Sequence, residues 1–213
     1  MIEVVSLSDT IKERLESGEE EVRMAGSVED YFELLDELEN TPYLVTYDND
    51  EIIATMGEAT EMHELLCGNV IYLFNKNYWG SDTRVYGSNC AVFVEACQKG
   101  YDPDVVVVRG VSQLHDRPKR VKPILNPLIL VEVLSDSNRG ASFTRKINCY
   151  KQIPSVQEIV LIDQYESIVN VLKKTAKPNE WLDTTYQNME GIIQLDSLEI
   201  SLKDIYRNVL YHP

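Results

Sequence analysis

Two carboxylates and one amine stand at spacings that suit phosphodiester hydrolysis. The first carboxylate is Asp104, which closes Tyr101-Asp-Pro-Asp104 and precedes Val105-Val-Val-Val108. The second is Glu132, inside the apolar run Pro127-Leu-Ile-Leu-Val-Glu-Val-Leu134. The amine is Lys146, in a helix-like segment downstream. A buried carboxylate is costly unless it is paired, hydrogen-bonded or on a metal, so Glu132 among aliphatic neighbours requires a partner. Mg²⁺ takes oxygen ligands and keeps several waters and a substrate phosphate, so one or two protein carboxylates suffice. Asp104 and Glu132 supply them if their strands are neighbours, and the backbone carbonyl of Val133 adds a third oxygen. Lys146 then orients water or offsets the charge of the transition state. Plainer readings exist: Asp after Pro is common turn chemistry, and a helical lysine is usually solvated.

The elements that must position these groups follow from periodicity. Val105–Val108 and Leu128–Leu134 read as strands buried on both faces. Ser135-Asp-Ser-Asn138 reads as the cap of a helix over Arg139–Gln152. Upstream, Ser27 with Asp30 starts a helix that Asn40-Thr-Pro42 ends. Tyr43–Tyr47 and Glu51–Met56 are strands around the turn-rich Asp48-Asn-Asp50. Glu61–Tyr78 is a long helix with His63, Cys67, Val70, Ile71 and Phe74 on one face. Val156–Ile162 and Ser167–Lys174 are strands. Trp181–Tyr186 and Ile192–Leu195 read as a hairpin turning at Met189-Glu-Gly191, and Leu202–Val209 as a closing helix. Gly110–Pro127 reads as a disordered polar loop. Hairpin spacing alternating with helical crossovers gives an α/β fold with a mixed sheet. Residues 1–26 read as an acidic lead-in, and 27–213 as one domain.

A chain of 213 residues supports one sizeable core. The formal net charge of −15 argues against a nucleic-acid binder, but the charge is unevenly spread. Residues 1–40 hold 13 acidic and 3 basic side chains, whereas 109–151 hold 9 basic and 3 acidic ones, a local net of +6 around the candidate site. The acidic first 40 residues could act as a phosphate-mimicking, autoinhibitory or protein-binding segment. The four cysteines, Cys67, Cys90, Cys97 and Cys149, lack zinc-like spacing and read as small core residues rather than ligands or disulfide partners. No basic leader and no run of 18 apolar residues is present, so a cytoplasmic protein without membrane association is expected.

The series Tyr101-Asp-Pro-Asp104, Leu130-Val-Glu-Val-Leu-Ser135, Lys146 with Tyr150, and Val156-Gln-Glu-Ile-Val-Leu-Ile-Asp163 resembles the Uma-two family of restriction endonucleases, in the PD-(D/E)xK nuclease superfamily. The likeness runs from Met24 through His63 and Tyr86-Gly-Ser88 to Trp181, Glu190-Gly-Ile192 and Leu198. It implies a restriction-endonuclease-like core, a mixed β-sheet flanked by helices, and an endonuclease that cuts DNA with Mg²⁺ or Mn²⁺. It carries Asp104 and Glu132 over as metal carboxylates. The superfamily lysine two residues after that glutamate is Leu134 here, and Lys146 matches a lysine moved to the following helix. A Tyr-Glu pair usual upstream is also missing from Leu44-Val-Thr-Tyr-Asp-Asn-Asp-Glu51. These departures leave open a catalytically impaired nucleic-acid- or protein-binding module on the same fold. His63, Tyr150 and Gln157 are candidate site-lining residues, with Tyr150 one turn after Lys146, and Arg139 and Arg145 are candidate phosphate contacts. Cutting both strands of a duplex needs two sites, so a homodimer is expected.

Overall fold

The structure is a computed structural model and describes residues 6–57, 59–117, 121–135 and 140–209. The fold is mixed α/β, and its elements are laid on two main sheets.

The first unit uses α1 (Leu7–Glu16), β1 (Glu21–Ala25), α2 (Val28–Glu37), β2 (Tyr43–Asp48) and β3 (Glu51–Met56). Ser27 and Asp30 cap α2 reciprocally, a capping box that satisfies two backbone donors. Asn49 and Asp50 join β2 to β3 with positive φ at both positions, the backbone a two-residue hairpin needs. With β5 (Val92–Val94) and β6 (Lys99–Tyr101), the sheet order is β1-β3-β2-β6-β5. Tyr31 of α2 packs so closely on β6 that a Cβ at Gly100 would collide with its ring. The stretch expected to be a lead-in is therefore α1 and β1. Ile11, Leu15 and Val22 are buried with Tyr31, Leu34 and Ile52. The high count of surface acids hides an amphipathic helix.

The second unit is a six-stranded sheet of order β11-β10-β9-β8-β7-β4. Its strands are β4 (Thr83–Gly87), β7 (Val105–Arg109), β8 (Ile129–Leu134), β9 (Glu158–Asp163), β10 (Val169–Lys174) and β11 (Trp181–Tyr186). The β8–β9 pair is parallel and the others are antiparallel. α3 (Glu61–Tyr78), the hairpin β12 (Ile192–Leu195) with β13 (Leu198–Ser201), and α5 (Leu202–Ile205) cover one face. α4 (Ala141–Tyr150) and β5–β6 cover the other. Among the described residues no helix is long and apolar enough to cross a membrane.

Four expectations change. β11 pairs with β10 and β12 with β13, so the expected hairpin over 181–195 does not form. Alternation alone cannot say which neighbour a strand chooses. The described part of 110–127 is pinned by bridges from Ile124 to Val92 and Leu114. α4 starts at Ala141 from Gly140, without a side-chain cap; Asp136, Ser137 and Asn138 lie outside the described residues. Cys97, in the turn between β5 and β6, forms a disulfide with Cys149 of α4 across 52 residues, leaving Cys67 and Cys90 free. A bond between remote elements leaves no local spacing to read.

Candidate active site

β7 and β8 pair antiparallel with Val105 opposite Val131. One further step in that register places Asp104 opposite Glu132, and opposed residues share a face of the sheet. Pro103 has no N–H to extend the ladder. The Val133 N–H lies past the last paired residue of β7 and donates to Asp104 Oδ2 at 2.7 Å. Strand alternation aims the neighbours. Val105, Val107, Val131 and Val133 enter the α3 core, and Val106, Val108 and Leu130 enter the α4 core. Glu132 therefore faces α4.

α4 answers with two side chains one turn apart. Lys146 Nζ donates to Glu132 Oε2 at 2.8 Å, and the Tyr150 hydroxyl donates to Oε1 at 2.8 Å. Nζ also lies 5.8 Å and 5.7 Å from the ring centroids of Tyr101 and Tyr150, which meet edge to face. Each oxygen of Glu132 is thus partnered although the residue is only 1% exposed. Burial raises the Glu132 pKa, and Lys146 opposes that without cancelling it. Burial and the Glu132 charge hold the Tyr150 hydroxyl well above its ordinary pKa, so it stays a donor. Asp102, in the same segment, is pushed up to about 7 by burial, against the pull of Lys146.

On the other side of Asp104, His63 Nε2 lies 3.2 Å from Oδ1. Burial works against the imidazolium, but Asp104, with Glu64 and Glu132, outweighs it and raises the His63 pKa. Thr60 caps α3 by accepting the His63 N–H at 3.2 Å and donates to Gln164 Oε1 at 2.7 Å. Gln164 is fully buried at the end of β9, so the first turn of α3 is tied to the sheet. Cys67 Sγ stands 3.6 Å from His63 Nδ1.

Asp104, Glu132, Val133, Lys146, Tyr150 and His63 are therefore brought together. Gln157 is not. It is exposed, bonds the Ser155 carbonyl, and sits at the far end of the β8–β9 register from Glu132, about 13 Å along the sheet. Arg145 Nε reaches Asp48 Oδ2 at 3.5 Å, and Asp48 also pairs with Lys99. Arg139 lies outside the described residues. Arg109 pairs with Asp196, and buried Arg117 with Asp36. The positive run over 109–151 is thus in good part spent on internal acids, which a linear charge count cannot show.

Three residues of the cluster were not anticipated. Tyr101 flanks Lys146 from β6, and its place depends on tertiary packing. Gln164 acts on α3 through Thr60, again without a local signal. Cys67 had one: His63-x-x-x-Cys67 is the helical i, i+4 spacing that puts two ligands on one face.

The fold agrees with the relationships of the chain. Residues 28–205 match the Uma2 family, described as "Putative restriction endonuclease", and the chain belongs to that family. It is 27% identical over 150 residues to the uncharacterized protein sll1609 of Synechocystis, covering 70% of this chain and 82% of that one. It is 24% identical over 163 residues to the uncharacterized protein slr1290 of the same organism, covering 76% and 83%. Among solved structures it resembles one described as a "putative nuclease belonging to DUF820" from Anabaena variabilis, with TM-score 0.62 and 18% identity. That match covers 83% of this chain and 98% of the other. The family match starts at Val28, so α1 and β1 lie outside it.

Proposed function

We propose that the protein is a Mg²⁺- or Mn²⁺-dependent endonuclease that hydrolyses phosphodiester bonds in DNA, with Asp104, Glu132 and Lys146 as its catalytic set. The observation that carries the reading is the Lys146–Glu132 contact of 2.8 Å beside Asp104. It brings the amine from α4 to the face where residue 134 would otherwise present it. The donor set fits the ion: two opposed carboxylates, with the Val133 carbonyl, are hard oxygen ligands of the kind Mg²⁺ takes. When bound, the ion supplies neutralisation of phosphate charge and a water of lowered pKa.

The remaining work falls to the chain. The Val133 N–H orients Asp104 through Oδ2, and His63 Nε2 stands beside Oδ1. Tyr150 fixes the Glu132 carboxylate. Lys146, held between two aromatic rings, places a positive point charge where negative charge develops on the phosphate. His63 supplies a hydrogen bond to Asp104. Plasmid nicking by purified protein with Mg²⁺ or Mn²⁺ tests the reading. Asp104→Ala and Glu132→Ala must each abolish it, and nicking that survives both substitutions sinks the assignment.

The internal pairing of Arg109, Arg117 and Arg145 favours a second reading, a binding module without catalysis. Calorimetry separates the two. Absence of Mg²⁺ or Mn²⁺ uptake at millimolar concentration, together with salt-sensitive DNA binding, supports the module.

A further inference from the structure

We propose that His63, Cys67 and Asp104 form a binding site for a thiophilic divalent transition ion of the Zn²⁺ and Co²⁺ class. The site shares the Asp104 carboxylate with the centre proposed above and does not otherwise depend on the nuclease reading. One ligand atom from each of the three residues lies within 4.8 Å of the others. Tetrahedral zinc, with bonds of roughly 2.0–2.3 Å, holds its donors roughly 3.3–3.8 Å apart. The His63 Nδ1 to Cys67 Sγ separation of 3.6 Å already falls in that range. The His63 Nε2 to Asp104 Oδ1 separation is 3.2 Å. The two separations run to different ring nitrogens, of which one binds the ion, so the site forms when a side chain turns within the 4.8 Å spread of the three ligand atoms.

The supporting contacts are those of a prepared site. Metal-bound carboxylates are usually oriented by a hydrogen bond to the oxygen that does not bind, and the Val133 N–H does this for Asp104. His63 is fixed at its backbone by Thr60, and Thr60 by buried Gln164. The side chains of His63 and Asp104 are 15% and 13% exposed, which leaves a path for an ion. Glu64 and Glu132 add negative potential around the ring. Imidazole, thiolate and carboxylate together discriminate against Mg²⁺, which favours oxygen alone. Three protein ligands with an open position are the arrangement of a catalytic rather than a structural zinc site.

The test is a Co²⁺ titration of chelator-stripped, anaerobic protein followed by absorption. A sulfur-to-cobalt charge-transfer band in the near ultraviolet should saturate at one ion per chain. Cys67→Ser should remove the band and weaken Co²⁺ binding by about tenfold or more. Cys90→Ser, which changes the other free thiol, should keep it. A second measurement needs no variant: Zn²⁺ should displace the cobalt and bleach the band, because it binds such ligands more tightly. Absence of the band, its survival in Cys67→Ser, or a band indifferent to excess Zn²⁺ overturns the proposal. Glu132→Gln separates it from the nuclease reading, because that change should stop nicking and leave the cobalt band in place.

Discussion

The Lys146 ammonium lies 2.8 Å from the Glu132 carboxylate, reaching from α4 to β8. Residue 134 shares the Glu132 face by strand alternation, and it is leucine. In the proposed reading the amine reaches from α4 the place that a side chain at residue 134 would give it. If so, its origin should be exchangeable. Lys146→Met should lower nicking by about 100-fold. Adding Leu134→Lys to that variant should recover at least a tenth of the lost rate. Equal nicking by wild type and Lys146→Met contradicts the role given to the amine.

The same contact governs stability. Removing one partner of a buried charge pair strands the other, at a cost of about 3–5 kcal/mol. Glu132→Ala should therefore be destabilised by that amount in urea unfolding. Replacing the whole set by apolar groups, Glu132→Leu with Lys146→Met and Tyr150→Phe, should recover most of it, because no buried charge is left unpaired.

The acidic N-terminus belongs to the core. Ile11 is fully buried, so Ile11→Ala should cost about 2–5 kcal/mol. Deleting residues 1–26 strips β1 from β3 and uncovers Tyr31, so the truncated chain should lose cooperative unfolding rather than shed an inhibitor. A truncation that melts like wild type refutes this placement.

The cysteines give a direct count. In denaturant without reductant two thiols should react, Cys67 and Cys90, and four after reduction. A disulfide across this separation is worth about 2–4 kcal/mol, so reduction should lower the unfolding free energy measured in urea by that much. In the native protein Cys90, its pKa pushed up to about 11 by burial, should alkylate slowly at pH 8.

What the sequence discloses and what it hides divide along physical lines. Glu132 is legible because a charge in an aliphatic run has no cheap explanation other than a partner. Ser27 and Asp30 mark a helix start because the capping box is a local chemical device. Asn49-Asp50 marks a hairpin for the same reason. The partners of strands β11 and β12, the Cys97–Cys149 bond, and the placement of Tyr101 beside Lys146 depend on packing between remote segments. Gln157 misled because a polar residue at a strand start looks the same at either end of a sheet. The basic run over 109–151 misled because a linear charge count cannot tell a solvated arginine from Arg117, buried against Asp36.

The most direct measurement of the central claim is nicking of supercoiled plasmid by wild type and Glu132→Gln side by side, with Mn²⁺ and with a chelator. Glutamine keeps the shape of Glu132 and removes its charge, and thermal melts confirm that both proteins are folded. Wild type should nick with Mn²⁺ and stop with the chelator, while Glu132→Gln should be inactive in both. Equal nicking by the two folded proteins, or nicking that persists in the chelator, contradicts a metal centre built on Asp104 and Glu132.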